Sequence, residues 1–336
     1  MTPSTMKAAV LTRFGGPEVI QIAQRPVPVL KANQVLVQNQ AASVNSGDAR
    51  IRSKNVPKGY KFLMSLVFGF HRPRIETLGT VFAGRVTQVG ASVAKFKLGD
   101  LVFGSTELKM ATHAEFVAIS EDAAIAHVPD AFTPAEAASL VFGGITALYF
   151  IEKSDLKRDE RILINAAAGS VGIAVVQIAS QMGAHVTAIA SSVNHDFLRE
   201  NGAKSCIDYT ATNLRNLTEK FDVIMDSLGT TPYATHHHLL NKQGRFALVT
   251  GTLTEGLAAL FRSAFGKHKV VGGTSIATRA SLDKIVKLAQ SGAIKPIIDA
   301  TFTLDQIKDV RIWVFCCVML TYLCKKIDQS RGQFLR

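Results

Sequence analysis

Residues 161–190 read RILINAAAGSVGIAVVQIASQMGAHVTAIA. Residues 161–165 form a short apolar run that suits a buried strand. Residues 171–182 place apolar side chains at helical spacing and stop at Gly183, a residue type favoured just past a helix end. Residues 185–190 make a second strand-like run. Strand, helix and strand in this order form a βαβ unit, whose crossover joins two parallel strands. The turn before the helix, Ala167-Ala168-Gly169-Ser170-Val171-Gly172, is a degenerate glycine fingerprint with Ala167 in the first glycine position. Gly169 lets the backbone approach a pyrophosphate, and Gly172 lets the helix close on the strand. The first helical N–H groups, at Ser170 and Val171, are free for phosphate oxygens. A tight turn without ligand is the plainer alternative; the flanking strand and helix favour the phosphate site.

The end of the second strand bears on the cofactor. An NAD site places Asp or Glu there, where it bonds the ribose 2′-OH. Here the residues are Ala190-Ser191-Ser192-Val193-Asn194-His195, and no carboxylate occurs until Asp196. Ser191 and Ser192 can donate to a 2′-phosphate and His195 can pair with it, which favours NADP(H). The two serines also suit a turn and a helix cap.

Outward from this unit the alternation continues. A helix is expected around residues 196–201, a strand at 221–226, a helix at 233–240 and a strand at 245–249. Thr133-Pro134-Ala135-Glu136 is a helix start, with Thr as cap, Pro in the first turn and Glu closing a capping box. Before Pro129 the chain reads as short strands at 6–11, 19–23, 35–42, 80–89, 101–103 and 114–118, punctuated by glycine and proline, which suggests a compact barrel. Residues 58–77 are a loop or helix covering a site. The fold class is α/β, with a β-barrel domain at 6–127, completed by 294–336, and a doubly wound parallel-sheet domain at 128–293.

Composition agrees. A chain of 336 residues with 47% apolar and 19% charged residues is long and apolar enough for two cores and excludes disorder. The formal charge of +12 suits anionic partners, but no run of five Lys or Arg occurs, so no nucleic-acid partner is expected. Of four cysteines, three (Cys316, Cys317, Cys324) lie in the last 21 residues, and none has metal-ligand spacing. Cys206 reads as a small buried hydrophobe in a reducing compartment, and with no secretory signal the expected location is cytoplasmic. The apolar run 312–324 is short of the roughly 20 residues that span a bilayer, so no stable membrane span is expected.

The chain resembles the medium-chain dehydrogenase/reductase superfamily, and within it the zinc-independent quinone and enone oxidoreductases. The likeness is carried by AASVNSGDAR at 41–50, LGTVFAGRVTQVGASVAKFKLGDLVFG at 78–104, PAEAASLVFGGITALYF at 134–150, NAAAGSVGIAVVQIA at 165–179 and FDVIMDSLG at 221–229, and runs from about residue 6 to 309. It implies a GroES-like catalytic domain, a Rossmann-type domain and a cleft between them. Zinc alcohol dehydrogenases of the superfamily carry Gly-His-Glu where this chain has Gly79-Thr80-Val81. Their cysteine ligands would fall near residues 45–47 and 142–144, where this chain has none. The four-cysteine structural zinc loop is absent too, and the triplet His236-His237-His238 reads as a solvated helix surface. No metal is expected.

The resemblance implies NADPH, a quinone or α,β-unsaturated carbonyl substrate, and a homodimer. It places Asn45 and Asp48 in the cleft and Thr146 near the nicotinamide. It also implies that Ser227, Gly229, Thr250 and Gly251 flank the cofactor and that Tyr209 lies at its adenosine end. Asp48 alternatively orients its own loop or pairs with Arg50 or Arg52. Phe62, Leu63, Met64, Phe68 and Phe70 suggest an apolar substrate wall or simple core cover. The rivals are an NADP-dependent alcohol or aldehyde dehydrogenase, and a non-catalytic NADPH-binding protein with RNA or membrane contacts. The last 27 residues depart from the family, either as an altered end or as an apolar insertion before a relic ending at 331–335. That puts closure of the catalytic domain in doubt. The tail from Lys308 carries six Lys or Arg and two Asp, +4 of the +12.

Overall fold

The computed structural model describes residues 2–310 and 318–321. Strands Thr5–Leu11 (β1) and Ile20–Pro26 (β2) pair antiparallel. Gln34–Val44 (β3) is the spine of the first domain. Its run Val35-Leu36-Val37 is apolar without alternation because both faces are buried. Val35 and Val37 pack with Phe82, Val102 and Ile125, and Leu36 packs with Met6, Ala8 and Val10. Helices Ser46–Ser53 (α1) and Lys61–Phe68 (α2) follow, then strands Val81–Val89 (β4), Leu101–Ser105 (β5), Phe116–Ser120 (β6) and Ala124–His127 (β7). One edge of β3 pairs with β4 over most of its length, while Gln34–Gln38 on the other edge pairs with β6. Irregularities at Leu36/Val37 and Asn39/Ala41 bend the strand, as bulges do.

Pro134–Ser154 (α3) carries the capping box read from its sequence: Thr133 accepts from the Glu136 amide, and Glu136 reaches back to the Thr133 amide. By length and composition this helix could cross a bilayer, but it lies buried in the core. It packs Ala41, Val81 and Phe103 of the antiparallel sheet into one cluster with Ile162, Ile164 and Val175 of the second domain. Each of the buried Val, Ile and Phe side chains contributes about 1.5–3 kcal/mol.

The second domain alternates as expected: Arg161–Asn165 (β8), Ser170–Gln181 (α4), His185–Ala190 (β9), His195–Glu200 (α5), Ser205–Asp208 (β10), Phe221–Asp226 (β11), Tyr233–His236 (α6), Leu240–Leu248 (β12), Leu253–Phe265 (α7) and Lys269–Val271 (β13). All six strands are parallel, in the order β10-β9-β8-β11-β12-β13. Counted within the domain this is 3-2-1-4-5-6, the order of a dinucleotide-binding sheet. Its ligand crevice opens at the strand ends between β8 and β11, where the winding reverses. The helix expected at 233–240 is only one α turn, continued by a 3-10 turn at His237–Leu239 before β12 starts.

Arg279–Gln290 (α8) leads the chain back to the first sheet, where Ala300–Thr303 (β14) pairs parallel with Val318–Thr321 (β15). β15 pairs antiparallel with Ala41–Val44 of β3, on the edge that β6 leaves free. The divergent tail therefore does supply a strand to this sheet, Val-Met-Leu-Thr: an open sheet edge accepts a chain with good strand propensity. The other expectations for the tail lie outside the described residues.

Candidate active site

The turn between β8 and α4 is built around one left-handed residue and one close approach. Ala166, not Ala167, takes the left-handed conformation (φ 55°). A Cβ on Gly172 would stand 2.3 Å from the Ala166 carbonyl oxygen, so only glycine lets α4 sit this close to the strand. Helices α1, α3 and α8 each carry a reciprocal capping box, whereas α4 has no side-chain cap and no acidic residue in its first turn. Its leading N–H groups, at Ser170, Val171 and Gly172, line a cleft of about 400 Å³ between the domains. Uncapped amides beside a glycine cradle fit a pyrophosphate. Gly169 lines the cleft as well; Ala167 is fully buried behind the turn and does not.

Opposite the turn lie Asn45 and Thr146. Asn45 is the N-cap of α1: its Oδ1 accepts from the amides of Gly47 (2.9 Å) and Asp48 (3.2 Å). Its Nδ2 donates to Thr80 Oγ1 at 3.3 Å. Thr146 Oγ1 donates to the Phe142 carbonyl at 2.8 Å and stands 3.0 Å from Ser275 Oγ, which fixes α3 to the segment after β13. Asp48 is placed elsewhere. It is buried beneath α1, accepts from the Asn45 amide at 3.0 Å, and lies 3.9 Å from His113 Nε2. Burial pushes its carboxyl above the usual range, against the opposing pull of His113. Asp48 does not line the cleft, because closing the capping box turns it inward. Of the expected apolar wall, Phe68 joins the core with Leu78 and Met110, Met64 packs against it, and Phe62, Leu63 and Phe70 are exposed; none lines the cleft.

The far wall comes from the loops after β11 and β12. Ser227 and Thr250 line the cleft, and Thr250 Oγ1 donates to the Ser227 carbonyl. Gly229 and Gly251 belong to the same loops but line neither this cleft nor its neighbouring cavity. The loop is shaped by Asp226, whose buried carboxylate accepts from the amides of Leu228, Gly229 and Thr231 and from Asn165 Nδ2 (2.8 Å). Asn165 and Asp226 end the two strands that flank the switch point, and the sequence reading passed over both. Their signal was a polar residue closing each of two otherwise apolar runs.

A second cavity of about 430 Å³ continues past Ala166 and Leu228, which line both spaces. Tyr209, Arg215 and His236 line it. His236 is therefore not a solvated helix residue: it is buried, accepts or donates at Thr235 Oγ1 (2.9 Å), and burial lowers its pKa. Ser191, Ser192 and His195 do not line this cavity but follow Ala190 at its rim, where Ser191 Oγ accepts from Asn194 and the His195 ring contacts the Ala190 carbonyl at 3.2 Å. The Ser192 amide donates to Asp208 at 3.3 Å. A carboxylate thus does stand at this end, brought by β10 rather than β9. Hydrogen bonds from Thr210, then from Ser192, hold it below the usual carboxylate range.

The three places where a zinc dehydrogenase would hold its metal converge here. Asn45 bonds Thr80, and the Phe142 ring edge lies against Gly47. They present an amide, a hydroxyl and a phenyl ring, and no thiolate, imidazole or carboxylate. This donor set does not fit zinc. Among the described residues no group of three His, Cys, Asp or Glu gathers elsewhere.

Two family models match: the alcohol dehydrogenase GroES-like domain over residues 31–144, and the zinc-binding dehydrogenase over residues 201–310. The chain is 30% identical to 2-methylene-furan-3-one reductase of Solanum lycopersicum, covering 91% of this chain and 75% of that protein. It is 29% identical to the chloroplastic NADPH-dependent alkenal/one oxidoreductase of Arabidopsis thaliana, covering 88% and 72%. The quinone oxidoreductase structure from Coxiella burnetii superposes with a TM-score of 0.84 at 27% identity, covering 94% of this chain and 99% of that one. A chloroplastic relative shows that this fold does not by itself mark the cytoplasm. Sheet order, glycine cradle, cleft and relatives agree: the chain belongs to the medium-chain dehydrogenase/reductase superfamily, in its quinone and enone oxidoreductase branch.

Proposed function

We propose that the protein is an NADPH-dependent reductase that transfers hydride to a quinone or an α,β-unsaturated carbonyl without a metal. One observation carries the reading. Two cavities sharing Ala166 and Leu228 make one trough, the first lined by the uncapped start of α4 and by Asn45, the second by Tyr209. The relatives reduce a methylene-furanone and alkenals or alkenones by their names, and the structural neighbour is a quinone oxidoreductase.

NADPH bound in the trough supplies the hydride. The amides of Ser170, Val171 and Gly172 would hold its pyrophosphate, and Tyr209 and Arg215 would wall its adenosine end. Ser191, Ser192 and His195 form the rim at the 2′ position. Asn45 has one amide N–H committed to Thr80 and a second for the substrate oxygen, where negative charge develops. A conjugated acceptor spreads that charge, so one neutral donor serves where an isolated ketone calls for a metal. Thr146 positions the cleft wall through Phe142 and Ser275. A zinc-type alcohol dehydrogenase would need ligands that positions 45, 80 and 142 do not provide. β13 ends the parallel sheet with an edge paired to no described strand, which supports the homodimer.

The test is a panel of short enones, alkenals, benzoquinones and simple aldehydes, with NADPH and NADH side by side. Turnover of enones or quinones with a preference for NADPH is expected. Turnover of none of them, or of unconjugated aldehydes alone, overturns the reading.

A further inference from the structure

The exposed face that runs from α2 to α7 is not used by the chemistry above. On α2 and just beyond it, Phe62, Leu63, Leu66, Val67 and Phe70 are exposed, Phe62 by 71%. Phe62 and Phe70 hold each other edge to face at 5.9 Å. On α7, Leu253, Leu257 and Phe261 fall at every fourth position, which places them on one helix face, and all three are exposed, Phe261 by 72%. The start of α7 meets the segment just before α2, where the Leu253 amide donates to the Lys58 carbonyl at 3.0 Å. Thr250, three residues earlier, lines the cleft, so this face adjoins the cleft mouth.

Around α2 its charge is one-sided, while α7 brings Glu255, whose carboxylate accepts from the Thr252 amide and hydroxyl. Residues 49–75 contain seven Lys or Arg and no Asp or Glu. Two of these cations are fixed to the patch itself: Arg74 donates to the Leu66 carbonyl at 2.7 Å, and Lys54 donates to the Phe70 carbonyl. Lys58, Lys61 and Arg72 form no ion pair among the described residues.

We propose that this face docks on an anionic lipid bilayer. The occupant follows from charge complementarity. A second copy meeting the face by two-fold symmetry brings the same cations against it. The chain's own residues 322–336 carry four Lys or Arg and one Asp, and repel it as well. A bilayer with acidic headgroups offers both an apolar interior for Phe62, Leu66 and Phe261 and counter-charge for the lysines and arginines around them.

The full chain is mixed with sedimentable vesicles of phosphatidylcholine, alone or with phosphatidylglycerol, at low and high salt. Variants are F62S/L66S for the apolar part and K58E/K61E for the charge, with folding checked by thermal melting and NADPH binding by fluorescence. Binding to the anionic vesicles about tenfold or more tighter than to neutral ones is expected, weakening with salt and falling about tenfold in each variant. The proposal is overturned by no binding to anionic vesicles, by equal binding to neutral ones, or by binding that neither variant changes. It is also overturned if the wild type binds no vesicles and is a dimer that F62S/L66S turns into a monomer.

Discussion

Asn45 Nδ2 donates to Thr80 Oγ1 across 3.3 Å, which ties the start of α1 to the lead-in of β4 at the floor of the cleft. The same side chain caps α1 through its other atom, so structure and chemistry separate by atom. Asn45→Asp keeps the capping oxygen and loses the donor. It should fold at some cost in stability, because it sets a second buried carboxyl beside Asp48, and lose about 100- to 1,000-fold in kcat. Asn45→Ala loses the cap too and should cost a further ~1 kcal/mol in urea unfolding. An unchanged kcat in Asn45→Asp would leave Asn45 as a helix cap only.

Gly172 is a tight contact of the cofactor turn, 2.3 Å between an added Cβ and the Ala166 oxygen. Gly172→Ala must push α4 off β8 and misplace the amides of its first turn. NADPH affinity by fluorescence titration should fall about tenfold or more, with a stability loss of about 1–3 kcal/mol. Equal NADPH affinity in the variant would mean that α4 does not hold the phosphates.

Asp48 makes a pH prediction. Its folded pKa is raised, chiefly by burial, so the folded state favours the protonated carboxyl. The stability it permits is fully present below the unfolded pKa near 3.8 and is lost as pH rises through the folded value. Asp48→Asn removes that titration. The melting temperature of the variant relative to wild type should rise as pH goes from acid to neutral. A pH-independent difference would contradict this assignment.

Asp208 stands beside the Ser192 amide at the rim where a 2′-phosphate would lie, and its neighbours keep it ionised. Asp208→Asn should lower the KM for NADPH about threefold while leaving that for NADH unchanged, an effect that fades with salt because the group is exposed. Equal shifts for both cofactors would place Asp208 away from the 2′ position.

How much of this was legible in the sequence varies with how local the cause is. Apolar runs and glycine stops are local, and β8, β9 and β11 appear as read. The box Thr133…Glu136 is local too and was recognised. The equivalent box Asn45…Asp48 has the same spacing, and of the two readings open for Asp48, cleft residue or organiser of its own loop, its inward turn follows the second. Asp208 approaches Ser192 only because β10 lies beside β9 in register, Asp208 opposite Ala190. Such proximity depends on tertiary pairing and has no local signal. The burial of His236 is of the same kind, since a triplet of histidines reads as surface until the helix ends after one turn. β15 was illegible because its partner edge exists only once β3 has bent away from β6.

The central claim is hydride transfer to a conjugated acceptor at a site whose metal positions carry Asn45, Thr80 and Phe142. The most direct measurement is NADPH oxidation by the full chain with a short enone or a benzoquinone, before and after exhaustive treatment with a zinc chelator. The account predicts turnover at the same rate in both. Loss of turnover on chelation, with recovery on adding zinc, would contradict it.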